Sequence, residues 1–139
     1  LKRSGADVTR VRKMFREDAA DYLAKAEAIH NAEIYENYYA ISECDSANTA
    51  SPTLVCAQAA NDLLNIKGIK ASFVLTLYND IIYISARSMD EVNVQTIMEK
   101  LGGGGHRSVA GAQIKEGSIE DAKNLVKKVL KELIERGEI

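Results

Sequence analysis

A stretch of alternating residues in the middle of the chain limits the folds open to it. From Ile69 to Tyr78, apolar side chains alternate with mostly polar ones, the period of two that is typical of a β-strand. Asn79 and Asp80 follow as a two-residue turn, and the segment from Ile81 to Ala86 is predicted to return as the partner strand. This hairpin indicates that the fold contains a β-sheet.

Helical and strand patterns alternate along the rest of the chain. Apolar residues at steps of three or four predict a long N-terminal linker helix over residues 7–31, with Asp7 as its N-cap. Ser118, with Asp121 three places on, caps a last helix. The other predicted elements are a strand over 38–42, a helix from Ser51 to before Gly68, a helix over 89–101 and a strand over 109–114. This order predicts an α/β (α+β) fold, with a small mixed sheet of about four to five strands flanked by helices.

A run of four glycines, from Gly102 to Gly105, is followed directly by His106 and Arg107. Residues without a Cβ atom let the backbone turn with positive φ and let its N–H groups approach a ligand closely. Consecutive N–H groups in such a turn form an anion-binding nest. The alternative interpretation is a flexible connector or an extended C-cap of the preceding helix.

A second cluster, Ser85-Ala86-Arg87-Ser88, stands where the second strand of the hairpin ends. Ser88 and Glu91 have the spacing of a capping box, so the helix over 89–101 is predicted to begin here. The free N–H groups of a helix N-terminus attract phosphate, and the Arg87 guanidinium offers a bidentate fork to the same anion. Across a helix of about a dozen residues, Arg87 and the glycine run would lie about 18 Å apart. A surface arginine beside a serine that only caps its helix is the alternative interpretation.

The charge balance and the missing motifs limit the activities open to the chain. Its 18 Lys and Arg against 20 Asp and Glu give a net charge of -2, which excludes a broadly basic nucleic-acid-binding surface but not a local basic pocket. The sequence lacks an Asp-His-His tripeptide, an HExxH motif and a Walker lysine motif. Cys44 and Cys56 lack the spacing of a zinc site and are expected to be buried thiols in a reducing compartment. The chain therefore supplies binding groups but no evident group that activates water.

Several stretches of the sequence resemble a known family. The Arg87 cluster and the glycine run with His106, together with the segments 93–95 and 97–101, resemble the C-terminal DHH-associated domain of DHH-family phosphoesterases. The segments 59–68 and 71–75 are similar to the subgroup formed by the membrane-anchored cyclic-di-AMP phosphodiesterases.

The resemblance implies two parts and a role for each. Residues 1–33 would form the linker helix and the tail of a DHH catalytic domain, and residues 34–139 the DHH-associated substrate-binding domain. In this family the DHH domain carries two manganese ions that activate water, so no cofactor is expected in the present chain. The resemblance assigns Arg87 to a phosphate or a base, gives Ser88 a secondary role, and assigns a substrate phosphate to the other residues of the motif. Those residues are Gly103, Gly104, Gly105 and His106.

The function implied is the nucleotide-binding domain of a two-metal phosphodiesterase that hydrolyses cyclic-di-AMP to a linear dinucleotide, with the isolated chain inactive alone. The implied partners are a cyclic dinucleotide or short oligonucleotide, the DHH domain of the same chain, and a second copy in a homodimer. The domain would be cytoplasmic, with a parent anchored in the bacterial cell membrane. Alternatives within the family are a nanoRNase acting on short RNAs and a 3′-phosphoadenosine phosphatase. Alternatives outside it are a non-catalytic RNA-binding domain, as in alanyl-tRNA synthetases, and a structural dimerisation domain.

Overall fold

A computed structural model describes residues 19–47, 49–89 and 91–139 of the chain. These residues form four helices and six strands interspersed along the chain, as the order of helical and strand patterns in the sequence predicts. In chain order the elements are α1 (Ala19–His30), β1 (Glu33–Tyr35), β2 (Tyr39–Glu43), α2 (Pro52–Leu63), β3 (Ala71–Tyr78), β4 (Ile81–Ser88), α3 (Val94–Glu99), β5 (Gly104–Gly105), β6 (Val109–Ile114) and α4 (Ile119–Glu135).

The six strands of the described chain form one mixed sheet in the order β1-β2-β3-β4-β6-β5. Strands β2 and β3 are parallel and are connected through α2, whereas the other neighbouring strands are antiparallel. The central pair β3–β4 is the predicted hairpin. Its turn residues Asn79 and Asp80 have φ values of 52° and 63°, the positive values that a tight type I′ hairpin turn requires. The sequence prediction of a mixed sheet is confirmed, with one strand more than expected.

The helices cover the two faces of the sheet unequally. Helices α3 and α4 pack on one face over a core that includes Phe73, Leu75 and Leu130, all fully buried. Helices α1 and α2 pack on the opposite face, mainly on β2, β3 and β4. On that face, therefore, the β6 side chain of Val109 is 46% exposed. Within the described residues, the part of the sheet formed by β4, β6 and β5 has one covered face and one largely open face.

The helix after β4 begins later than the capping pattern predicts. Ser88 is the last residue of β4, and Asn93 is the N-cap of α3, accepting a hydrogen bond from the Thr96 N–H at 3.3 Å. The prediction of a Ser88–Glu91 capping box is therefore wrong. The predicted helix end at Gly102 is confirmed: Gly102 has a φ of 84° and its N–H donates to the carbonyl of Glu99 at the end of α3.

Other predictions are confirmed where local signals are strong. Helix α4 begins with a complete capping box, in which the Ser118 hydroxyl accepts from the Asp121 N–H and the Asp121 carboxylate accepts from the Ser118 N–H. Strand β6 has the predicted bounds. Helix α1 confirms part of the predicted N-terminal helix and packs against α2 through the buried Ala28, while Asp7 and the rest of that prediction lie outside the described residues. The short strands β1 and β5 are not predicted by the sequence.

Candidate nucleotide-binding site

The open face of β4, β6 and β5 collects most of the candidate residues. Cross-strand pairing arranges this face in three rows: Arg87 opposite Val109, Ser85 opposite Gly111, and Tyr83 opposite Gln113. Gly104 of β5 pairs with Gly111 and extends the middle row. Because residues directly opposite each other share a face, these side chains point to the same side of the sheet. The middle row has almost no side-chain atoms. It separates the cationic end of the face, at Arg87, from the polar end, at Tyr83 and Gln113.

Arg87 is a partly buried cation without an acidic partner. Its guanidinium donates to the carbonyl of Ala86 at 2.9 Å, and within residues 19–47, 49–89 and 91–139 no carboxylate lies within ion-pair distance of it. Burial lowers the pKa of Arg87, because water that would solvate the charge is excluded. An arginine cannot escape this cost by losing its proton near neutral pH, so an anion bound beside it offsets the lost solvation.

The positions of the glycine run differ in whether the fold requires glycine there. A Cβ atom at Gly103 would lie 2.1 Å from the carbonyl oxygen of Gly111, and one at Gly105 would lie 2.6 Å from the Cα atom of Ala110. Both positions require glycine because the backbone of residues 103–105 packs tightly against β6. A Cβ atom at Gly104 would meet no atom within 4 Å, and the φ of Gly104 lies outside the left-handed region. The fold therefore gives no reason for glycine at position 104, which leaves room for a ligand against the backbone.

The fold already uses part of the predicted nest of N–H groups. The N–H of Gly103 donates to the carbonyl of Met98, and the N–H of His106 donates to the carbonyl of Val109 at 2.7 Å. The second bond continues the β5–β6 pairing by one residue, so His106 comes opposite Val109 on the open face. The His106 side chain is exposed. The candidate anion site therefore combines the side chains of Arg87 and His106 with the bare backbone strip at Gly104.

Ser88 anchors the turn that carries His106. Its hydroxyl is buried and lies 2.6 Å from the carbonyl of Val92 and 3.3 Å from that of Arg107. Its N–H donates to the carbonyl of Ser108 at 3.0 Å, and the Val94 N–H reaches the Arg107 carbonyl at 2.9 Å. These bonds fix the 106–109 turn to the end of β4. Because the hydroxyl is already used by main-chain carbonyls, Ser88 is a positioning residue, and its direct contact with a ligand stays a prediction.

The structure brings Arg87 and His106 together. The separation of about 18 Å predicted from a dozen-residue helix is wrong, because α3 has only six residues and the chain folds back along β4. Both residues are opposite Val109, Arg87 from the β4 side and His106 from the β5 side. Arg87 is not at a helix N-terminus, because Ser88 to Asn93 separate it from α3.

A cavity of about 540 Å³ lies beside the middle row, between the open face and the start of α2. Sequence reasoning missed its polar residues Tyr83 and Gln113, although the alternation along β4 would place Tyr83 on the same face as Arg87. Its lining includes Tyr83, Ser85, Gly103, Gly111 and Gln113 of the sheet and its edge, and Thr53 of α2.

The titratable groups of the described chain do not form a metal centre. Within the described ranges, no group of three or more His, Cys, Asp or Glu side chains could hold a metal ion. The two cysteines are buried as predicted, and each has a free thiol. The neighbouring Cys56 thiol lowers the pKa of Cys44, and the Cys44 thiol, together with burial, raises that of Cys56. No helix in the described part of the chain is long and apolar enough to cross a membrane.

Curated relatives with a stated activity match nearly the whole chain. The cyclic-di-AMP phosphodiesterase GdpP of Geobacillus thermodenitrificans is 39% identical over 99% of this chain and 21% of its own length. The cyclic-di-AMP phosphodiesterase PdeA of Listeria monocytogenes is 41% identical over 88% of this chain and 19% of its own length. The chain therefore spans about a fifth of the length of these relatives.

Among solved structures, an exopolyphosphatase-related protein from Bacteroides fragilis has the same fold. It superposes with a TM-score of 0.72 at 20% identity and covers 82% of this chain and 35% of its own. The model of the DHHA1 domain family matches residues 37–132, which include the whole open face with Arg87, the glycine run and His106. The chain therefore belongs to the DHHA1 domain family, as the resemblance of its motifs predicts.

Proposed function

We propose that this chain is the substrate-binding domain of a DHH-type phosphodiesterase and that it holds a phosphate of a cyclic dinucleotide, cyclic-di-AMP, on the open face. The observation that carries the proposal is the partly buried Arg87 guanidinium, which has no acidic partner among the described residues and borders a strip of backbone that Gly104 leaves bare. The named activity of the GdpP and PdeA relatives supports the choice of ligand.

Each residue contributes a different part of the binding. The Arg87 guanidinium presents two parallel donors to phosphate oxygens and neutralises their charge. The bare backbone at Gly104 admits the phosphate group, and the His106 imidazole adds a donor from the neighbouring turn. Ser88 keeps that turn in place through its contacts with the carbonyls of Val92 and Arg107. In catalysis these groups orient the substrate and reduce its charge, and neither task needs a group that activates water.

The two manganese ions that the family resemblance implies do not fit the described residues, which lack a cluster of ligands for them. Water activation belongs in our proposal to the separate DHH domain, and the isolated chain is expected to bind without hydrolysing.

The proposal is tested by titrating the ¹⁵N-labelled 139-residue chain with cyclic-di-AMP and following the amide signals by NMR. We expect shifts at Gly104, Gly105, His106 and Arg87, and we expect Arg87→Ala and His106→Ala to weaken binding by at least tenfold each. The matched controls are Arg136→Ala and His30→Ala, which remove exposed side chains of the same types far from the open face. Unmoved signals at millimolar ligand would refute the proposal.

The same titration with linear dinucleotides and tRNA separates the alternatives. A preference for linear diadenylate or short RNA over the cyclic dinucleotide would favour a nanoRNase. Tight binding of tRNA, with Arg87→Ala and His106→Ala unaffected, would favour a non-catalytic RNA-binding domain. The net charge of -2 disfavours the last outcome, since RNA-binding surfaces are broadly basic.

A further inference from the structure

We infer that Tyr83 and Gln113 form a binding site for the adenine base of the nucleotide and determine which base the domain accepts. The inference rests on the proposed function, since it places a base beside the phosphate held at Arg87. Tyr83 and Gln113 lie directly opposite each other on β4 and β6 and line the cavity of about 540 Å³ on the open face. A cavity of this size is typical of small-ligand sites.

Both side chains have unused hydrogen-bonding groups. Neither the Tyr83 hydroxyl nor the Gln113 amide forms a hydrogen bond with another residue in the described ranges, whereas the buried polar side chains of Ser42, Ser72 and Thr76 on the same face all bond to main-chain carbonyls. Tyr83 is half-buried and Gln113 is exposed. The polar groups on the cavity wall are thus available to a ligand.

The chemistry of the pair selects a base. A glutamine amide offers one donor and one acceptor side by side, which matches the acceptor N7 and the donor N6 amino group of adenine. Guanine presents two acceptors, O6 and N7, at the corresponding edge, so the amide oxygen of Gln113 would face a like group. The Tyr83 ring can stack on any base and therefore contributes affinity more than selectivity. Gln113 is the specificity-determining residue of the pair.

The floor of the cavity suits a flat ring. Ser85 and Gly111 form the row between the two ends of the open face, and the backbone of Gly103 borders it. Because these residues carry almost no side chain, a planar base can lie against the sheet between Tyr83 and the bare strip.

The distance between the two ends of the face fits one nucleotide. Tyr83 and Arg87 are four residues apart on β4, which corresponds to about 13 Å along an extended strand. The extended arginine side chain, the phosphate and the ribose occupy this interval when the base lies at Tyr83. The phosphate end and the base end thus belong to one continuous site.

The test compares three ligands on the same labelled chain: AMP, GMP and ribose 5-phosphate, which carries the phosphate without a base. We expect AMP to shift the amide signals of both Arg87 and Gln113, and ribose 5-phosphate to shift those near Arg87 only. Gln113→Ala should weaken AMP binding about tenfold, because it removes a two-point contact with the base, and leave ribose 5-phosphate unchanged. Tyr83→Ala should weaken AMP and GMP alike.

Matched control variants guard against general effects of substitution. Gln58→Ala, on the exposed side of α2, and Tyr78→Ala, at the exposed end of β3, should leave all three affinities at the wild-type value. Circular dichroism and thermal unfolding of each variant establish that it is folded before its affinity is compared. Because Gln113 is exposed, its replacement is not expected to affect folding.

The possible outcomes separate this inference from the proposed function. Equal affinity for AMP and ribose 5-phosphate, with shifts near Arg87 only, overturns the base site and keeps the phosphate site. Shifts at Tyr83 and Gln113 without shifts near Arg87 keep the base site and overturn the phosphate site. A GMP affinity equal to or above that of AMP overturns the role of Gln113, and the absence of any shift overturns both proposals.

Discussion

Arg87 lies directly opposite Val109 across strands β4 and β6, and the Val109 carbonyl accepts the hydrogen bond that closes the turn of His106. Because both residues pair with Val109, the Arg87 guanidinium and the His106 imidazole lie on the same open face. Among the described elements, the open face is left largely uncovered because α1 and α2 pack mainly on β2, β3 and β4. The candidate site is thus a product of strand pairing and of incomplete helix coverage.

Replacing Arg87 by lysine should show how much of the binding affinity comes from its charge and how much from its planar geometry. Lysine keeps the positive charge but loses the planar fork that binds two phosphate oxygens at once. We expect the affinity of Arg87→Lys for cyclic-di-AMP to fall between those of the wild type and Arg87→Ala, as measured by NMR titration at two salt concentrations. An Arg87→Lys affinity equal to that of the wild type would show that charge alone binds the ligand.

Two neighbouring glycines should respond in opposite ways to alanine. In Gly103→Ala the new Cβ atom meets the Gly111 carbonyl oxygen at 2.1 Å, so we expect a loss of stability of about 1–3 kcal/mol, measured by urea unfolding. In Gly104→Ala the new atom meets nothing within 4 Å, so stability should stay within about 0.5 kcal/mol of the wild type.

Gly104→Ala should weaken phosphate binding even though it leaves the stability of the fold unchanged. The methyl group of Gly104→Ala occupies the strip against which we place the phosphate, so its affinity for ribose 5-phosphate should drop although the fold is intact. A fully stable Gly104→Ala that binds as well as the wild type would remove the phosphate from this position.

Removing the Ser88 hydroxyl should destabilise the fold and loosen the His106 turn. The hydroxyl is buried between the carbonyls of Val92 and Arg107, so Ser88→Ala should cost about 1–2 kcal/mol and lower the Tm by several degrees. The amide signals of residues 106–109 should shift in the free protein. The control Ser85→Ala removes a half-buried hydroxyl without a hydrogen bond to any described residue, and a Tm equally low in both variants would contradict this role of Ser88.

The two thiols should be protected from reagents while the domain is folded. Cys44 is 3% exposed and Cys56 is fully buried. The neighbouring Cys44 thiol and burial raise the pKa of Cys56, which disfavours its reactive thiolate. We expect Ellman's reagent to react with neither thiol at neutral pH in native buffer and with both in guanidinium chloride. Rapid reaction of one thiol in native buffer would contradict the packing of α2 on this face.

The elements that the sequence predicts correctly are those with local signals. The β3–β4 hairpin has a period of two on both sides of a two-residue turn, and α4 has a capping box whose two bonds join residues three positions apart. The motifs that identify the family, the Arg87 cluster and the glycine run with His106, are also contiguous in sequence. Such features are visible in sequence because the interacting residues are close neighbours.

The errors arise where a local signal competes with distant partners. Ser88 and Glu91 have the spacing of a cap, but the Ser88 N–H and hydroxyl bond to the carbonyls of Ser108 and Arg107, some twenty residues away, and the helix begins only at Val94. The two-residue strand β5 exists only because β6 lies beside it. A short segment of glycine has no strand preference of its own, so pairing decides its conformation.

The sequence by itself determined the class of fold, the positions of the hairpin and the last helix, and the family of the chain. Only the tertiary structure decided that Arg87 and His106 share one face, that Gly104 borders open space while Gly103 is held against β6, and that Tyr83 and Gln113 stand side by side over a cavity. The physical reason is that side-chain periodicity records which face of an element is buried. Which strands become neighbours, and which surface the helices leave uncovered, depends on hydrogen bonds and packing between residues far apart in the chain.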